Sequence, residues 1–464
     1  MRTISVRNYL LVALSMLSFT TQSQNIQYAM PEESAQHEGT WLQWPHNHTY
    51  PPYYRDDLEP TWLAMTEALI TGEKVHIIAY DQTEYDHIVD VLIAEGIPMS
   101  NIDFFIHEND DCWIRDNGPV FVYDSAESLI ILDWGFNGWG METPYEKDDL
   151  IPELVSADIS IQNVDLSAMV LENGAVELDG SGSFLATKSS IINPDRNPGL
   201  SQSEIENYLT TYLGVINFIW LDGVMGLELT DMHIDGFARF FDSTTIIAMD
   251  SLDLIYWELP ATDITTLFNA QNTNGNAYDF VFLPLTQNNV ETTWGENLGY
   301  KGSYINYYVG NLSVLVPTYV DPNDAVAISL LENLYPTRDV IGIDVRNLYF
   351  GGGMVHCVTQ QQPVELSTSK TMDAAMNSTM LFQNSPNPFS KKSTVSIFLE
   401  KNSSCQLAIY NSMGQKIMTL VNSELQSGNY QFSLDADELG PGIFFYTLTV
   451  DDKTVICKKM VVIK

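Results

Sequence analysis

Apolar and polar positions follow two rhythms along this chain. Beyond residue 394 they alternate in short runs, TVSIFLE, CQLAIYNSMGQKIMTLV, GNYQFSL, LGPGIFFYTLTV and KTVICKKMVVIK, with turn-forming residues between them. Alternation puts every second side chain on one face of a strand, so this region predicts a small antiparallel β-sandwich. Upstream the signals mix. EKVHIIAYD and ESLIILDWGF run apolar like strands, whereas DDLEPTWLAMTEALIT and LSQSEIENYLTTYLG show helical periods. Ser201 or Ser203 is placed to cap the second helix, with acids in its first turn. Strand and helix units in alternation predict an α/β domain.

The two regions are joined by a polar stretch without a steady apolar period, VELSTSKTMDAAMNSTMLFQNS, followed by Pro386 and Pro388. Such a segment is a linker, which sets the expected organisation as 24–365, a linker at 366–382, and 383–464. Residues 1–23, MRTISVRNYLLVALSMLSFTTQS, place Arg2 and Arg7 before a short apolar run and small residues after it. That is the pattern of a secretory signal peptide. The run is too short to span a bilayer and no later one is longer, so no transmembrane segment is expected.

Charge sharpens the division. The whole chain has 21 basic and 60 acidic residues, but 383–464 carry 8 Lys against 7 acids, while 24–382 carry 11 basic against 53 acidic residues. The large domain therefore repels nucleic acid and concentrates small cations; solubility is the plainer use of the same charge. Four cysteines are too few for a disulfide scaffold in 464 residues.

Candidate chemistry falls in four stretches. In NDDCWIRDNGPVFV, Asp116 precedes an Asn-Gly-Pro turn beside Trp113; capping of its own backbone is the structural alternative. In LENGAVELDGSGSF, Glu172, Glu177 and Asp179 cluster near glycines, as solvated loops also do. In GLELTDMHIDGFARFF, Asp231, His233 and Asp235 alternate with Met232 and Ile234, so an extended segment would point all three the same way. That pattern suits a weak metal site or a general acid and base oriented by carboxylates. The fourth stretch is GGGMVHCVTQQQP from Gly351. A nucleophilic thiol must ionise, which needs cationic or dipolar help. Cys112 follows Asp110 and Asp111; Cys405 and Cys457 fall in the C-terminal strands, packed as small apolar residues or bridged if they face each other. Cys357, behind glycines and beside His356, is the nucleophile candidate by elimination, against the competing reading of an inert buried thiol.

Resemblances then carry the reading further. QYAMPEESAQHEGTWLQWPHN, DCWIRDNGPVFV, DWGFNGWG, LENG with ELDGSGSFLATKSSIINPDRNP, TDMHIDGFARF, INYYVGNLSVLVPTY and GGGMVHCVTQQQP stand in the order found in the agmatine deiminase and bacterial peptidyl-arginine deiminase family. The chain resembles that family over nearly all of residues 28–363. The resemblance implies a pentein-type fold, a five-fold pseudosymmetric α/β propeller around one site. Asp116, Glu177, Asp235, Asn306 and Cys357 lie 61, 58, 71 and 51 residues apart, one per unit. It makes Cys357 the nucleophile, His233 the general acid and base, and Asp116 with Asp235 the carboxylates gripping a guanidinium. It puts Trp113, Glu172, Glu228, Asn306 and Gly353 around the substrate, and implies neither metal nor organic cofactor.

PNPF at 386–389, IYNSMGQKI, LGPGIFFYTLTV and the Lys-rich last strand resemble the C-terminal sorting domain of type IX secretion. This implies that secretion machinery as partner, and a secreted or surface-attached enzyme exported through the periplasm; an ordinary binding module is the plainer alternative.

The resemblance implies conversion of agmatine to N-carbamoylputrescine, with citrullination of peptidyl-arginine as the alternative. Agmatine deiminases carry an acid four positions before the catalytic His, to meet the distal ammonium. Here that position is Leu229, with Glu228 beside it, and Met232 is larger than the family's usual residue. A substrate carboxylate would need a cationic anchor, and Arg115 and Arg239 lie inside motifs. The acidic field favours a dication, whereas export favours peptides. A pentein that has lost catalysis and only binds is the reading from another class. The joint presence of Cys357, His233, Asp116 and Asp235 argues against it.

Overall fold

The computed structural model describes residues 26–366, 380–381, 384, 389–399, 401–411, 415–451 and 453–462. The expected signal peptide, 1–23, lies outside the described residues, as does the expected linker apart from Leu366, Met380 and Leu381. The chain divides between Leu366 and Ser367 into two compact units. No helix among the described residues is long and apolar enough to cross a membrane.

In the larger unit one pairing scheme occurs five times. A short strand pairs antiparallel with the next, which pairs parallel with a third reached through a helix. Val120–Asp124, Leu129–Gly135 and Gln162–Val170 follow it. So do Glu177–Leu178, Ser183–Thr187 and Asn217–Leu221, then Ala238–Asp242, Thr245–Ala248 and Asp279–Phe282. The fourth is Tyr308–Val309, Ser313–Thr318 and Asp339–Asp344. The fifth joins the two ends of the unit: Gln360–Pro363 pairs antiparallel with His37–Gln43, which pairs parallel with Lys74–Ala79, and that strand with Ile102–Ile106. A parallel pair cannot be joined by a tight turn, which is why a helix stands inside every unit.

The helices form where the periodicity put them. Pro52–Leu69 buries Leu58, Trp62, Met65 and Leu69 on one side and contains Pro60. Gln202–Leu213 begins at Ser201, whose side chain accepts from the Glu204 amide while the Glu204 carboxylate returns to the Ser201 backbone. This reciprocal cap satisfies two amides that would otherwise have no partner, and Gly214 ends the helix in the left-handed region. Central strands such as Lys74–Ala79 are buried on both faces, five of six residues, as continuous apolar runs predict.

The C-terminal unit holds two antiparallel sheets. Met380–Leu381, Lys392–Leu399 and Gly428–Asp435 form one. Lys416–Leu425, Ser403–Asn411, Gly442–Val450 and Lys453–Val462 form the other. Val395 and Ile397 from one sheet share a core with Leu407, Tyr446 and Leu448 from the other. Cys405 is a free thiol paired in register with Val450; the side chain of Cys457 lies outside the described residues.

Candidate active site

Each of the five units opens with a turn just before its first strand, and these turns bring the predicted residues together. Ile114–Asn117 carries Asp116, Asn173–Ala175 follows Glu172, Ile234–Gly236 carries Asp235, Asn306 precedes Tyr308–Val309, and His356–Val358 carries Cys357. Asp116 and Asp235 meet His233 around Gly174. A Cβ built on Gly174 would lie 2.7 Å from Asp116 Oδ1, 2.7 Å from His233 Nδ1 and 3.4 Å from Asp235 Oδ2. Only a residue without a side chain leaves these three groups where they are.

Asp116 does not cap its own turn. Its Oδ1 accepts from the Gly174 amide at 3.0 Å and its Oδ2 from the Trp139 indole at 2.9 Å. Trp139 reaches that bond from a run of four left-handed residues, Gly138 to Met141, with its own φ at 54°. A bulky residue there stores backbone strain, and the bond to Asp116 is what the strain secures. Burial raises the Asp116 pKa to about 6, against the opposing charge of His233.

His233 lies 2.8 Å from Glu172 through Nε2 and 3.7 Å from Asp116 through Nδ1. Glu172 is fixed in turn by Arg196 Nε, at 2.7 and 3.0 Å to its two oxygens. Burial of His233 opposes its charge, but Asp116, Glu172 and Asp235 outweigh burial and raise its pKa to about 9. The ring is therefore a cation at neutral pH, ready to give up a proton.

The expectation of an extended segment at 231–235 is corrected. Asp231 and Met232 both take positive φ, 59° and 69°, and Ile234–Gly236 is a 3₁₀ turn. The three polar side chains consequently diverge. Asp231 turns away to Arg196 at 2.5 Å and Asn193 at 3.0 Å, while His233 and Asp235 face the cluster. Asp235 Oδ2 accepts from Asn306 Nδ2 at 2.9 Å and from His356 Nδ1 at 2.7 Å. Burial pushes its pKa up, yet those bonds and the charge of His356 keep it below the ordinary value.

Cys357 Sγ lies 3.4 Å from Asn306 Nδ2. Its thiol is pushed well above the ordinary value, by burial first and then by the charges of Asp235 and Asp116. Trp113 is 8% exposed, and a Cβ on Gly353 would meet its ring at 2.1 Å, so the indole leaves no room for a side chain at this position four residues before Cys357.

Two residues are placed otherwise. Glu228 is exposed, and its carboxylate accepts from Thr230 and from the Met232 amide at 2.6 Å, inside its own loop. Glu177 sits on a strand and pairs with Arg239 at 2.6 Å, so it is not the second unit's member of the cluster; the turn before that strand contributes Gly174 and the adjacent Glu172. Sequence reasoning did not find Gly174, Trp139 or Glu33. Two cavities around Glu33, Glu177 and Arg239 are lined by none of Cys357, His233, Asp116 or Asp235, so chemistry rather than volume marks the site.

Known proteins carry related chains. A family model described as Porphyromonas-type peptidyl-arginine deiminase matches residues 29–363, and one described as a secretion system C-terminal sorting domain matches residues 385–464. An agmatine deiminase of Pseudomonas aeruginosa is 30% identical over 361 residues, covering 72% of this chain and 95% of its own length. The solved agmatine deiminase of Enterococcus faecalis aligns with a TM-score of 0.65 at 25% identity, over 73% of this chain and 97% of its own. A substrate-bound agmatine deiminase of C. jejuni aligns with a TM-score of 0.62 at 26% identity, over 73% and 97%.

Proposed function

The chain belongs to the Porphyromonas-type peptidyl-arginine deiminase family, hydrolases acting on C–N bonds, and from that premise we propose that it is a secreted guanidine deiminase whose first substrate is agmatine. The observation that carries this reading is the meeting of a cationic imidazole and two carboxylates around Gly174, with the Cys357 thiol 3.4 Å from the asparagine that also bonds Asp235. A guanidinium is a flat cation with a poorly electrophilic carbon. Two carboxylates can hold it by charge-assisted hydrogen bonds in line with a nucleophile. Asp235 Oδ1 takes no hydrogen bond among the described residues and is free for that purpose.

Cys357 is then the nucleophile. Asp235 and Asp116 disfavour its thiolate in the empty site, and the arriving cation cancels that effect, so the thiol loses its proton to solvent as substrate binds. Thiolate attack on the guanidinium carbon gives a tetrahedral adduct. His233 protonates the departing nitrogen, which leaves as ammonia, and a thiouronium remains. The now neutral His233 takes a proton from water, the hydroxide adds to the same carbon, and the C–S bond breaks as the added hydroxyl gives its proton to solvent, returning thiolate and a ureido product. Glu172 holds the ring through both steps, Asn306 braces Asp235 and Cys357, and Trp113 lines the slot.

Agmatine ranks ahead of a carboxylate-bearing substrate because the buried guanidiniums nearby are taken. Arg196 pairs with Glu172 and Asp231, Arg239 with Glu177 and Glu33, and Arg115 bonds Gln361. Peptidyl-arginine is the second reading, favoured by the engagement of Glu228 within its own loop. We further assign 1–23 as signal peptide, 24–365 as a five-unit pentein propeller, 366–382 as linker, and 383–464 as a β-sandwich read by type IX secretion. Incubation with agmatine, free arginine and an arginine peptide, with colorimetric detection of ureido product, tests the function. Product from none of them would leave a binding protein, and a Cys357→Ala enzyme that still turns over would overturn the chemistry.

A further inference from the structure

His356, next to the nucleophile, is used by none of the steps above, yet it is one of the most constrained side chains of the site. It is 2% exposed. Its Nδ1 lies 2.7 Å from Asp235 Oδ2 and its Nε2 lies 2.7 Å from Glu33 Oε2. An imidazole with a carboxylate at each nitrogen is placed to bridge the two anions. Its backbone is tied as well, the amide donating to Asn306 Oδ1 at 3.0 Å and the carbonyl accepting from Arg115 Nε at 3.1 Å.

Glu33 arrives from the N-terminal segment, more than three hundred residues away in sequence, and is itself held on every side. It accepts from Arg239 Nη2 at 2.9 Å and from the Val309 amide at 2.9 Å, with Arg115 Nη2 at 3.5 Å. Charges thus alternate inward: Arg239 and Arg115, Glu33, His356, Asp235. The last of these is a carboxylate with one oxygen, Oδ2, engaged by His356 and Asn306, and the other, Oδ1, unpaired among the described residues. A cation set behind Asp235 keeps it ionised without competing for the substrate's position in front of it.

We propose that His356 is a positioning residue of the deiminase reaction, clamped between Asp235 and Glu33 so that Asp235 presents one charged oxygen to the guanidinium, and that Glu33 makes the N-terminal segment part of the catalytic assembly. The proposal rests on the deiminase reading. The charged groups around His356 are Asp235, Glu33, Arg115, Glu177 and, through Glu33, Arg239; Cys357 follows it in the chain.

The test uses the full chain with agmatine as probe. His356→Gln can donate to one carboxylate but cannot carry charge, while Glu33→Gln keeps an acceptor for Nε2–H and loses the charge together with the acceptor oxygen that faces the Val309 amide. The expected order of kcat/KM is wild type, then Glu33→Gln, then His356→Gln, with the last down on the order of 100-fold. The acid limb of its pH profile should move to higher pH, because Asp235 has lost its cation. In a Cys357→Ser background, calorimetry should show agmatine bound at least about tenfold more weakly once His356→Gln is added. An active wild type beside a folded His356→Gln enzyme with unchanged kcat/KM and an unmoved acid limb would overturn this proposal alone. A loss accounted for by lower melting temperature, with the pH profile and calorimetry unmoved, would do the same. A wild type inactive on every guanidino substrate would remove the deiminase reading and this proposal with it.

Discussion

Gly174→Ala is the most searching perturbation of the site, since it adds one methyl group at its geometric centre. The backbone of Gly174 is not left-handed, so alanine costs nothing in φ, and its amide can keep the bond to Asp116. The cost is steric. Ordinary contacts begin near 3.4 Å, whereas the new Cβ would sit 2.7 Å from both Asp116 Oδ1 and His233 Nδ1, so each must retreat by about 0.7 Å. Neither can do so freely: Asp116 is anchored by Trp139, and His233 by Glu172 and its Arg196 partner. A misplacement approaching 1 Å costs on the order of 100-fold, so a 10- to 100-fold fall in kcat/KM is expected, or about 1.4 to 2.7 kcal/mol of transition-state stabilisation. Overpacking of about 1 to 3 kcal/mol should lower the melting temperature by only a few degrees. Gly236→Ala is the control, because a Cβ there meets only Trp257, at 3.8 Å. Ureido production and thermal melting of both variants give the answer. Full activity in Gly174→Ala, or an equal loss in Gly236→Ala, would refute the placement of the three groups around Gly174.

Further outcomes follow from the same contacts. Iodoacetamide should alkylate Cys357 slowly at neutral pH and faster above the ordinary thiol range, and Asp116→Asn should shift that profile to lower pH by removing an anion; a plateau already reached below pH 7 contradicts the burial and charge argument. Glu172→Gln should lower the His233 pKa from about 9 and move the basic limb of kcat/KM to lower pH, read from a pH–rate profile. His233 is raised above its unfolded value of 6.5, so its stabilising contribution is complete below about pH 6.5 and lost as pH rises through 9, which denaturant titrations across that window should register. Arg196→Met strips Asp231 of its cation and leaves Glu172 only His233, and should destabilise the fold by about 3 kcal/mol, measured by urea unfolding. Glu228→Gln should change the KM for agmatine less than about threefold if its carboxylate serves only its loop, and a larger rise would give it a substrate contact.

Local chemistry was legible in the sequence where motifs are short. The capping box at Ser201 lies within four residues, and the alternation of the C-terminal strands follows from the pleat. Cys357, His233, Asp116 and Asp235 are candidates by residue type and neighbours and take their roles from the family resemblance; Asp116, His233 and Asp235 lie around Gly174, with Cys357 beside Asn306. What the sequence hid is either backbone conformation or contact across the fold. Asp231 and Met232 look like alternate positions of a strand because periodicity carries no sign of φ, and two left-handed residues in succession undo it. Glu177 fits an even spacing better than Gly174 does, but a glycine has no side chain to announce its place among three polar groups. Glu33 is 323 residues from His356, and only the completed sheet makes them neighbours.

That sheet also sets when the protein can act. The strand that follows Cys357, Gln360–Pro363, zips onto His37–Gln43, so the nucleophile is seated by the last stretch of the large unit closing against its beginning. A chain cut short before that seam lacks Cys357 altogether, and one whose seam has not formed leaves it unseated. On the proposed reading, activity therefore waits for the two ends of the large unit to join.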